Sequence, residues 1–537
     1  MSSSVKITAV LILLVAPLSG MGKPAGGVSL RFDALSTVQA TVDYLQQARV
    51  LLRQGDYSAA RVAAQKALEL DAKSPEAEYL IGAIELALGQ LKEAHIHFKR
   101  ALEIAPQHLD ARRGCGALLL KQKLYQAAAL EFAQVLALKP DDFIALYSLG
   151  LAYLLQDRAE QALEQFDKAH RINPQEVVLL TAMLQARLKL KQRLPTEATL
   201  NQLARLVDLR DPRRLQLAFL LGTEGFYDLA IRQYEELHQI YPESDQLKFN
   251  LALAYHRAKQ DDEAAKLLEN ALAHHEAANL FNLLGEVQQA RRLDAAAVAA
   301  YRRAAELEPR NENYLFDYAQ SLVQTGALDQ ALQVFAKAVE DFPASVRLWL
   351  GWGVAQFVKG NYEDAAQTLL RGADIAPQAP EVYELLGRAY DAAGPLQSTI
   401  ERRFSHYLKA QTRDARAEFF YAKILAARSR QANASTDLTE AQRHLEKALS
   451  LGKDFAEAHL ELGIILVEKN QLAAGRHHLE RAAQIAPAWP DVFYRLSRLY
   501  GRTGERARAQ AALKKFQQLK AQQSNDPNRN EMMKYLR

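Results

Sequence analysis

Residues 143–176 read FIALYSLGLAYLLQDRAEQALEQFDKAHRINPQE, and this stretch decides the fold because its residue types return at a fixed interval. Four series keep a step of 34 residues: Gly82, Gly116 and Gly150; Ala94, Ala128 and Ala162; Phe98, Phe132 and Phe166; Pro106, Pro140 and Pro174. The same phase continues through a weaker block and resumes at Pro309, Pro343 and Pro377 after one residue is lost near His275. A period of this length indicates an array of repeated structural units.

One unit, residues 75–108, shows why these types recur. Its apolar spacing predicts two helices, and Gly89 caps the first of them. Gly82 and Ala94 are small, so the paired helices approach closely. Pro106 lacks an N–H and closes the second helix. Because each pair leaves an apolar face uncovered, it needs a neighbouring pair, and a stack results.

Composition narrows the class of protein further. The chain has 537 residues, which is too long for a single hydrophobic core. Hydrophobic residues make up 49% and charged residues 24%, which excludes a mostly disordered chain. The single cysteine, Cys115, excludes an intramolecular disulfide and a multi-thiolate metal site. A net charge of +4 is too small for a dedicated polyanion binder.

The repeat resembles a known family, the tetratricopeptide repeat, whose pattern is carried nearly whole by one unit. Residues 143–176 supply Leu146, Leu149, Gly150, Tyr153, Ala162, Phe166, Ala169 and Pro174. The resemblance implies an all-α fold, a right-handed α-solenoid superhelix of about fourteen antiparallel helix pairs, with a concave groove for protein ligands. The units begin near residues 41, 75, 109, 143, 177, 211, 245, 278, 312, 346, 380, 415, 456 and 490.

Departures from the pattern divide the array. We expect repeat blocks at 41–176, 211–379 and 415–523, joined by degenerate repeats at 177–210 and 380–414. An unbroken solenoid with local irregularities is the alternative, since stacked repeats tolerate imperfect units. The polar stretch from Arg428 to Asp437 reads as an extended loop. Residues 23–40 read as a linker and 524–537 as a polar tail.

The N-terminus reads as a targeting segment. Lys6 precedes an apolar run from Ile7 to Leu18, which is shorter than a transmembrane helix and is followed by small residues. Residues 1–22 are therefore interpreted as a signal peptide of a periplasmic or secreted protein. An uncleaved segment that anchors the protein in the inner membrane is the alternative, and membrane contact is expected through this segment alone.

Groove residues follow from the family resemblance, which implies that first helices line the concave side. In the N-terminal block these positions hold Tyr79, Leu80, Ala83, Arg113, Tyr147, Leu151 and Leu154. Such an apolar, aromatic surface is typical of a peptide site, although the same side chains also suit helix packing. Further along the groove turns polar, at Asn282, Asp317, Gln320 and Glu384 among others, and Arg388, Arg495 and Arg498 form an alternative binding surface.

Chemical motifs do not appear in the sequence. The adjacent histidines His274–His275 and His477–His478 point to different helix faces, so no metal site is expected. No phosphate-binding loop or nucleophile elbow occurs, and we expect no cofactor, no small-molecule substrate and no enzymatic activity. Residues 495–537 carry a local charge of +8, but aromatic residues are sparse there, which disfavours nucleic acid.

The sequence thus predicts a non-enzymatic scaffold that binds other proteins or peptides in the concave groove. The alternative is a regulatory or substrate-recruiting subunit of an envelope enzyme complex, for example in polysaccharide synthesis or export.

Overall fold

The structure, a computed structural model, describes residues 32–432, 435–522 and 533–536. Within these residues the chain forms 28 α-helices and no β-strand. It divides into two compact units, Met1–Ala258 (unit 1) and Lys259–Arg537 (unit 2).

The helices follow one another in fourteen successive pairs, and their bounds match the predicted units closely. In unit 1 they are α1 Phe32–Gln54, α2 Tyr57–Leu70, α3 Pro75–Ala87, α4 Leu91–Ile104, α5 Leu109–Lys121, α6 Tyr125–Leu138, α7 Phe143–Leu154, α8 Ala159–Ile172, α9 Val177–Lys189, α10 Arg193–Leu206, α11 Pro212–Thr223, α12 Tyr227–Ile240 and α13 Asp245–Arg257.

The remaining helices belong to unit 2. They are α14 Asp261–His274, α15 Ala278–Ala290, α16 Asp294–Leu307, α17 Glu312–Gln324, α18 Leu328–Asp341, α19 Val346–Lys359, α20 Tyr362–Ile375, α21 Pro380–Ala389, α22 Gln397–Ala410, α23 Ala415–Ala432, α24 Ser435–Leu451, α25 Ala456–Glu468, α26 Leu472–Ile485, α27 Pro490–Arg502 and α28 Arg506–Gln522. Short 3₁₀ turns lie at Tyr390–Ala392, Gly394–Leu396 and Lys534–Leu536.

In several pairs an aromatic ring of the second helix fills the space above a glycine of the first. A Cβ added at Gly150 would stand 2.5 Å from the Phe166 ring, and one at Gly116 would stand 2.6 Å from the Phe132 ring. Both rings are fully buried. The phase of the repeat therefore follows from steric fit, since only glycine leaves room for the ring of the facing helix.

The residues at the helix ends explain where the helices begin and end. Ser74 and Asp142 cap α3 and α7 by accepting hydrogen bonds from backbone N–H groups of the first turn, as N-cap residues do. Gly89, predicted to end the first helix of its pair, has a φ of +82°, a conformation that glycine adopts without strain.

Two sequence-based assignments differ from the structure. Helix α1 begins at Phe32, so residues 32–40 of the predicted linker are helical. The predicted loop at Arg428–Asp437 is helical wherever it is described, because α23 and α24 extend into it with 18 and 17 residues. Ion pairs stabilise this extension, with Arg428 contacting both Glu401 at 3.0 Å and Asp437 at 2.9 Å.

The two degenerate repeats differ in structure. Residues 177–210 still form the regular pair α9 and α10, with Leu184 and Thr196 fully buried where smaller residues are usual. In residues 380–414 the two 3₁₀ turns separate α21 from α22, and α21 packs more extensively on α23 than on its own partner. The division into three blocks stays a prediction.

Candidate functional site

The first helices of the pairs form the inner surface of each unit. Within each unit most paired helices contact each other, and most second helices contact the first helix of the next pair. Consecutive first helices also contact one another, as α3 does with α5 in unit 1 and α17 with α19 in unit 2. In each unit their remaining faces line the surface where the sequence predicts ligand binding.

In unit 1 the predicted aromatic anchors lie inside the helix packing. Tyr79 is 7% exposed and its ring centroid lies 6.2 Å from that of Phe98; Tyr147 is 2% exposed and lies 6.1 Å from Phe166. Burial raises the pKa of Tyr79 to about 12. These rings fill the space between helices, so they do not form the exposed floor that the sequence suggested.

The other residues predicted for this surface are also mostly buried. Leu80, Leu151 and Leu154 are each 2% exposed, and only Ala83 is half-buried. Arg113 is buried in an ion pair, donating to Asp142 Oδ2 at 2.6 Å while Asp142 caps α7. As a partner-binding set, these seven residues stay a prediction, and the structure gives them a packing role.

In unit 2 polar side chains on the first helices form hydrogen bonds from one repeat to the next. Gln289 on α15 donates to Gln324 on α17. On the same two helices Asn282 donates to Asp317 at 3.2 Å, and Asp317 also accepts from Arg347 on α19 at 3.3 Å. Burial raises the pKa of Asp317 and outweighs the opposing effect of these two partners.

A second polar cluster lies two repeats further along. Glu384 on α21 accepts hydrogen bonds from Arg388, at 2.9 Å, and from Arg416 on α23. The Tyr535 hydroxyl also donates to this carboxylate. Burial favours the neutral acid, but these hydrogen bonds and the two guanidinium charges outweigh it, so the pKa of Glu384 is lowered.

The C-terminal segment Met533–Leu536 lies between these two clusters and contacts α19. Gln320 and Gln324 both donate from Nε2 to the backbone carbonyl of Leu536, the second at 3.1 Å. Leu536 is 1% exposed and belongs to the apolar core of the unit, and Met533 and Tyr535 pack against that core. We call this surface, defined by Gln320, Gln324, Glu384, Arg388 and Arg416, the unit-2 groove.

The sequence identified this groove only in part. Arg388, Gln320 and Glu384 were predicted as polar groove residues, and the structure brings them together around one segment. Arg495 and Arg498 are exposed on α27, in the last helix pair. The segment itself was missed because residues 524–537 read as a polar tail, whereas the described residues 533–536 are mostly apolar and partly buried. The aromatic–aliphatic pair Tyr535–Leu536 was the available signal.

Some ionisable groups outside the groove have pKa values that are shifted by burial in the surrounding protein. His459 and His478 face each other with their Nδ1 atoms 2.9 Å apart, and His459 Nε2 donates to the Lys453 carbonyl at 3.0 Å. Burial, reinforced by neighbouring histidines, lowers the pKa of His478 to about 4. Burial also raises the pKa of the half-buried Cys115 thiol to about 12, which leaves little reactive thiolate.

The described part of the chain contains no group of three or more His, Cys, Asp or Glu side chains arranged to hold a metal ion. Among its helices, none combines the length and the apolar character needed to cross a bilayer.

Comparisons with known proteins give partial likenesses. The chain is 23% identical to human protein O-mannosyl-transferase TMTC1 over 35% of its own length and 22% of that protein. It is 27% identical to a TPR repeat-containing protein of Treponema pallidum over 27% of its length and 16% of that protein. The chain thus spans about a fifth of the length of these curated relatives.

Two solved structures are also similar. A structure of pilF from Pseudomonas aeruginosa is 23% identical, with a TM-score of 0.35, and the match covers 42% of this chain and 99% of that one. A structure of Naa15/Naa10 bound to HypK-THB is 14% identical, with a TM-score of 0.40, and the match covers 95% and 99% of the two chains.

Family models agree with the repeat deduced from the 34-residue period. Models described as tetratricopeptide repeat match residues 45–108, 116–177, 215–272, 322–389, 434–491 and 490–523, which together exceed half of the chain. The helix pairs, the glycine–aromatic packing between them and these matches lead to one conclusion: the chain belongs to the tetratricopeptide repeat family and is an all-α solenoid.

Proposed function

We propose that this protein binds a short segment of a partner protein in the unit-2 groove. Tetratricopeptide repeats indicate a protein-interaction scaffold. The observation that supports the finer statement is the bifurcated amide clamp, in which Gln320 and Gln324 donate to one backbone carbonyl. Such a clamp recognises the peptide backbone, which every peptide ligand carries.

The groove combines three kinds of recognition. The amide clamp holds the backbone, an apolar recess buries one aliphatic side chain, and Glu384 accepts a hydrogen bond from an aromatic hydroxyl. Burying a leucine contributes about 2 kcal/mol, and each hydrogen bond contributes about 1 kcal/mol. Contributions of this size suit a weak, reversible ligand.

A second candidate function is a regulatory or substrate-recruiting subunit of an envelope enzyme complex. The partial likeness to an O-mannosyl-transferase, which covers 35% of this chain, favours a link to a glycan-transferring enzyme. In this case the groove partner is a catalytic chain that co-purifies in a fixed ratio with the scaffold.

Capture of partners with matched variants tests the proposal. We expect Gln320→Ala with Gln324→Ala to lose a partner that the wild-type protein retains from the native envelope fraction. The control is Gln330→Ala with Gln333→Ala, which changes two exposed glutamines on α18, the second helix of the same pair. A partner set that is identical for all three proteins contradicts binding in this groove.

Export is proposed separately, from the sequence of residues 1–22, which lie outside the described part of the chain. We expect the mature protein from its native host to lack Met1 and Lys6 by N-terminal sequencing. Recovery of the intact N-terminus from a cytoplasmic fraction contradicts periplasmic or secreted location, and recovery from the inner membrane supports the anchored alternative.

A further inference from the structure

The unit-2 groove is filled by the protein's own C-terminal segment. The carbonyl of Leu536 is held by Gln320 and Gln324, which lie one helical turn apart on α17 and therefore share a face. The side chain of Leu536 is 1% exposed, which removes a large apolar group from solvent. The polar and the apolar features of the groove are thus engaged at once by residues 533–536.

We infer that Met533–Leu536 is an intramolecular ligand that competes with a partner for the unit-2 groove. This inference rests on the proposed function and adds a regulatory step to it, since a partner segment binds only after the C-terminal segment has left. The groove is closed in the free protein and opens in exchange for a ligand that makes the same contacts.

The bound segment also defines the chemistry of the partner. Its Tyr535 hydroxyl reaches Glu384, whose charge is stabilised by Arg388 and Arg416. Its Leu536 side chain enters the core formed by the surrounding helices. A competing segment therefore carries a tyrosine followed directly by leucine or a similar aliphatic residue, in an extended or turn-like stretch of another protein.

The tether sets the strength of the competition. A ligand that belongs to the same chain as its site acts at an effective concentration on the order of millimolar. An external peptide with a dissociation constant of roughly 10–100 μM then binds the closed protein about 10- to 100-fold more weakly than the open one. A partner reaches the groove by having a higher affinity or a high local concentration.

The test uses the full-length chain and a fluorescent peptide of residues 529–537, RNEMMKYLR. Leu536→Asp in the protein places a charge in an apolar recess and releases the segment. We expect the peptide to bind this variant at least 10-fold more tightly than it binds the wild-type chain. Circular dichroism of both proteins checks that helix content is equal, and Tyr535→Phe is a milder variant with a smaller gain.

Further variants locate the binding. In the Leu536→Asp protein, Gln320→Ala with Gln324→Ala removes both donors of the clamp, and we expect peptide affinity to fall about 30-fold, as the loss of two hydrogen bonds implies. Gln330→Ala with Gln333→Ala, on the exposed surface of α18, is the matched control and leaves affinity unchanged. A peptide with aspartate in place of its leucine does not bind.

The outcomes separate this inference from the proposed function. Equal peptide affinity for wild type and Leu536→Asp overturns the competition while leaving groove binding intact. No binding to either protein overturns the proposed function itself. A wild-type dimer that becomes monomeric with Leu536→Asp shows that the segment enters the groove of a second copy, which overturns an intramolecular ligand.

Discussion

The inner surfaces of the two units use equivalent helix positions in opposite ways. In unit 1 Leu151, at the repeat position that Gln320 holds in unit 2, is 2% exposed, and Tyr79 and Tyr147, four positions earlier in their repeats, are 7% and 2% exposed. In unit 2 Gln320 and Gln324 remain on the surface and bind the carbonyl of Leu536. A large apolar side chain at a groove position adds to the core, whereas a long polar one stays available to a ligand. We therefore propose that polar residues mark the binding surface in this array.

The largest expected effect comes from the aromatic residues of unit 1. Tyr79→Ala with Tyr147→Ala removes two buried rings, each worth about 3 kcal/mol of local stability, and the two losses add because the sites lie two repeats apart. We expect faster hydrogen exchange in α3, α4, α7 and α8 and a lower urea midpoint.

Binding by the same double variant distinguishes a packing role of the two tyrosines from a role in ligand binding. Peptide affinity at the unit-2 groove should stay unchanged, because neither tyrosine belongs to it. A double variant that keeps its stability and loses a partner would reverse the assignment and make the tyrosines ligand anchors. Protection of the unit-2 helices serves as an internal control in the exchange experiment.

Gly150→Leu has the next largest effect. A Cβ at this position would already stand 2.5 Å from Phe166, so leucine forces the helices of the pair apart at a cost of about 3 kcal/mol. The matched control is Gly222→Ala, also in unit 1, where the new Cβ meets only Ala230 Cβ at 3.8 Å. We expect the urea midpoint to fall for Gly150→Leu and not for Gly222→Ala. Equal midpoints for the two variants would contradict the assigned repeat phase.

The smallest effect is a pH dependence that arises from a histidine pair in unit 2. The pKa values of His459 and His478 are lowered by burial, so the folded state favours neutral imidazoles. Stability is complete above about pH 6.5 and falls toward pH 4, because the unfolded chain takes up protons first. Since His478 is only half-buried and solvent screens part of the effect, we expect a loss of about 1 kcal/mol at pH 5.

Thermal melts at pH 5 and pH 7 check this expectation. His478→Phe should reduce the difference between the two melts, while His95→Phe, which changes an exposed histidine of unit 1, should leave it in place. The melts are restricted to pH values above 4.5 because Glu418, whose pKa is lowered, takes up a proton only below that pH. Burial opposes the charge of Glu418, but His444 and Lys447 outweigh that effect and lower its pKa. A difference that His478→Phe leaves unaltered would rule out the histidine pair as its source.

Most of the fold was predictable because steric fit repeats along the chain. The glycine, aromatic and proline series assign helix pairs directly, and the first helices begin at or within one residue of the predicted unit starts from 75 to 490. The direction of a groove side chain was not predictable in the same way. Leu151 and Gln320 occupy the same position of their repeats, yet Leu151 is buried and Gln320 is half-buried, and the packing around each decides this.

Long-range contacts were the part that sequence reasoning missed. The hydrogen bond from Gln320 to Leu536 joins residues 216 positions apart, and no periodic pattern relates them. The C-terminal segment carries many charges around its Tyr535–Leu536 pair, so composition assigned it to solvent. A short apolar pair next to a polar groove is recognisable only when both are placed in space.

The lengthened helices of one repeat have a consequence for how such chains change in evolution and in design. Helices α23 and α24 contain 18 and 17 residues, about four more than their neighbours, which extends each by about 6 Å. The extra turns run along the helix axes, across the direction in which repeats stack, so the next pair still begins in register at Ala456. Insertions of paired helical turns are therefore tolerated at this tip, which makes it a suitable point for a fused label or an added binding loop.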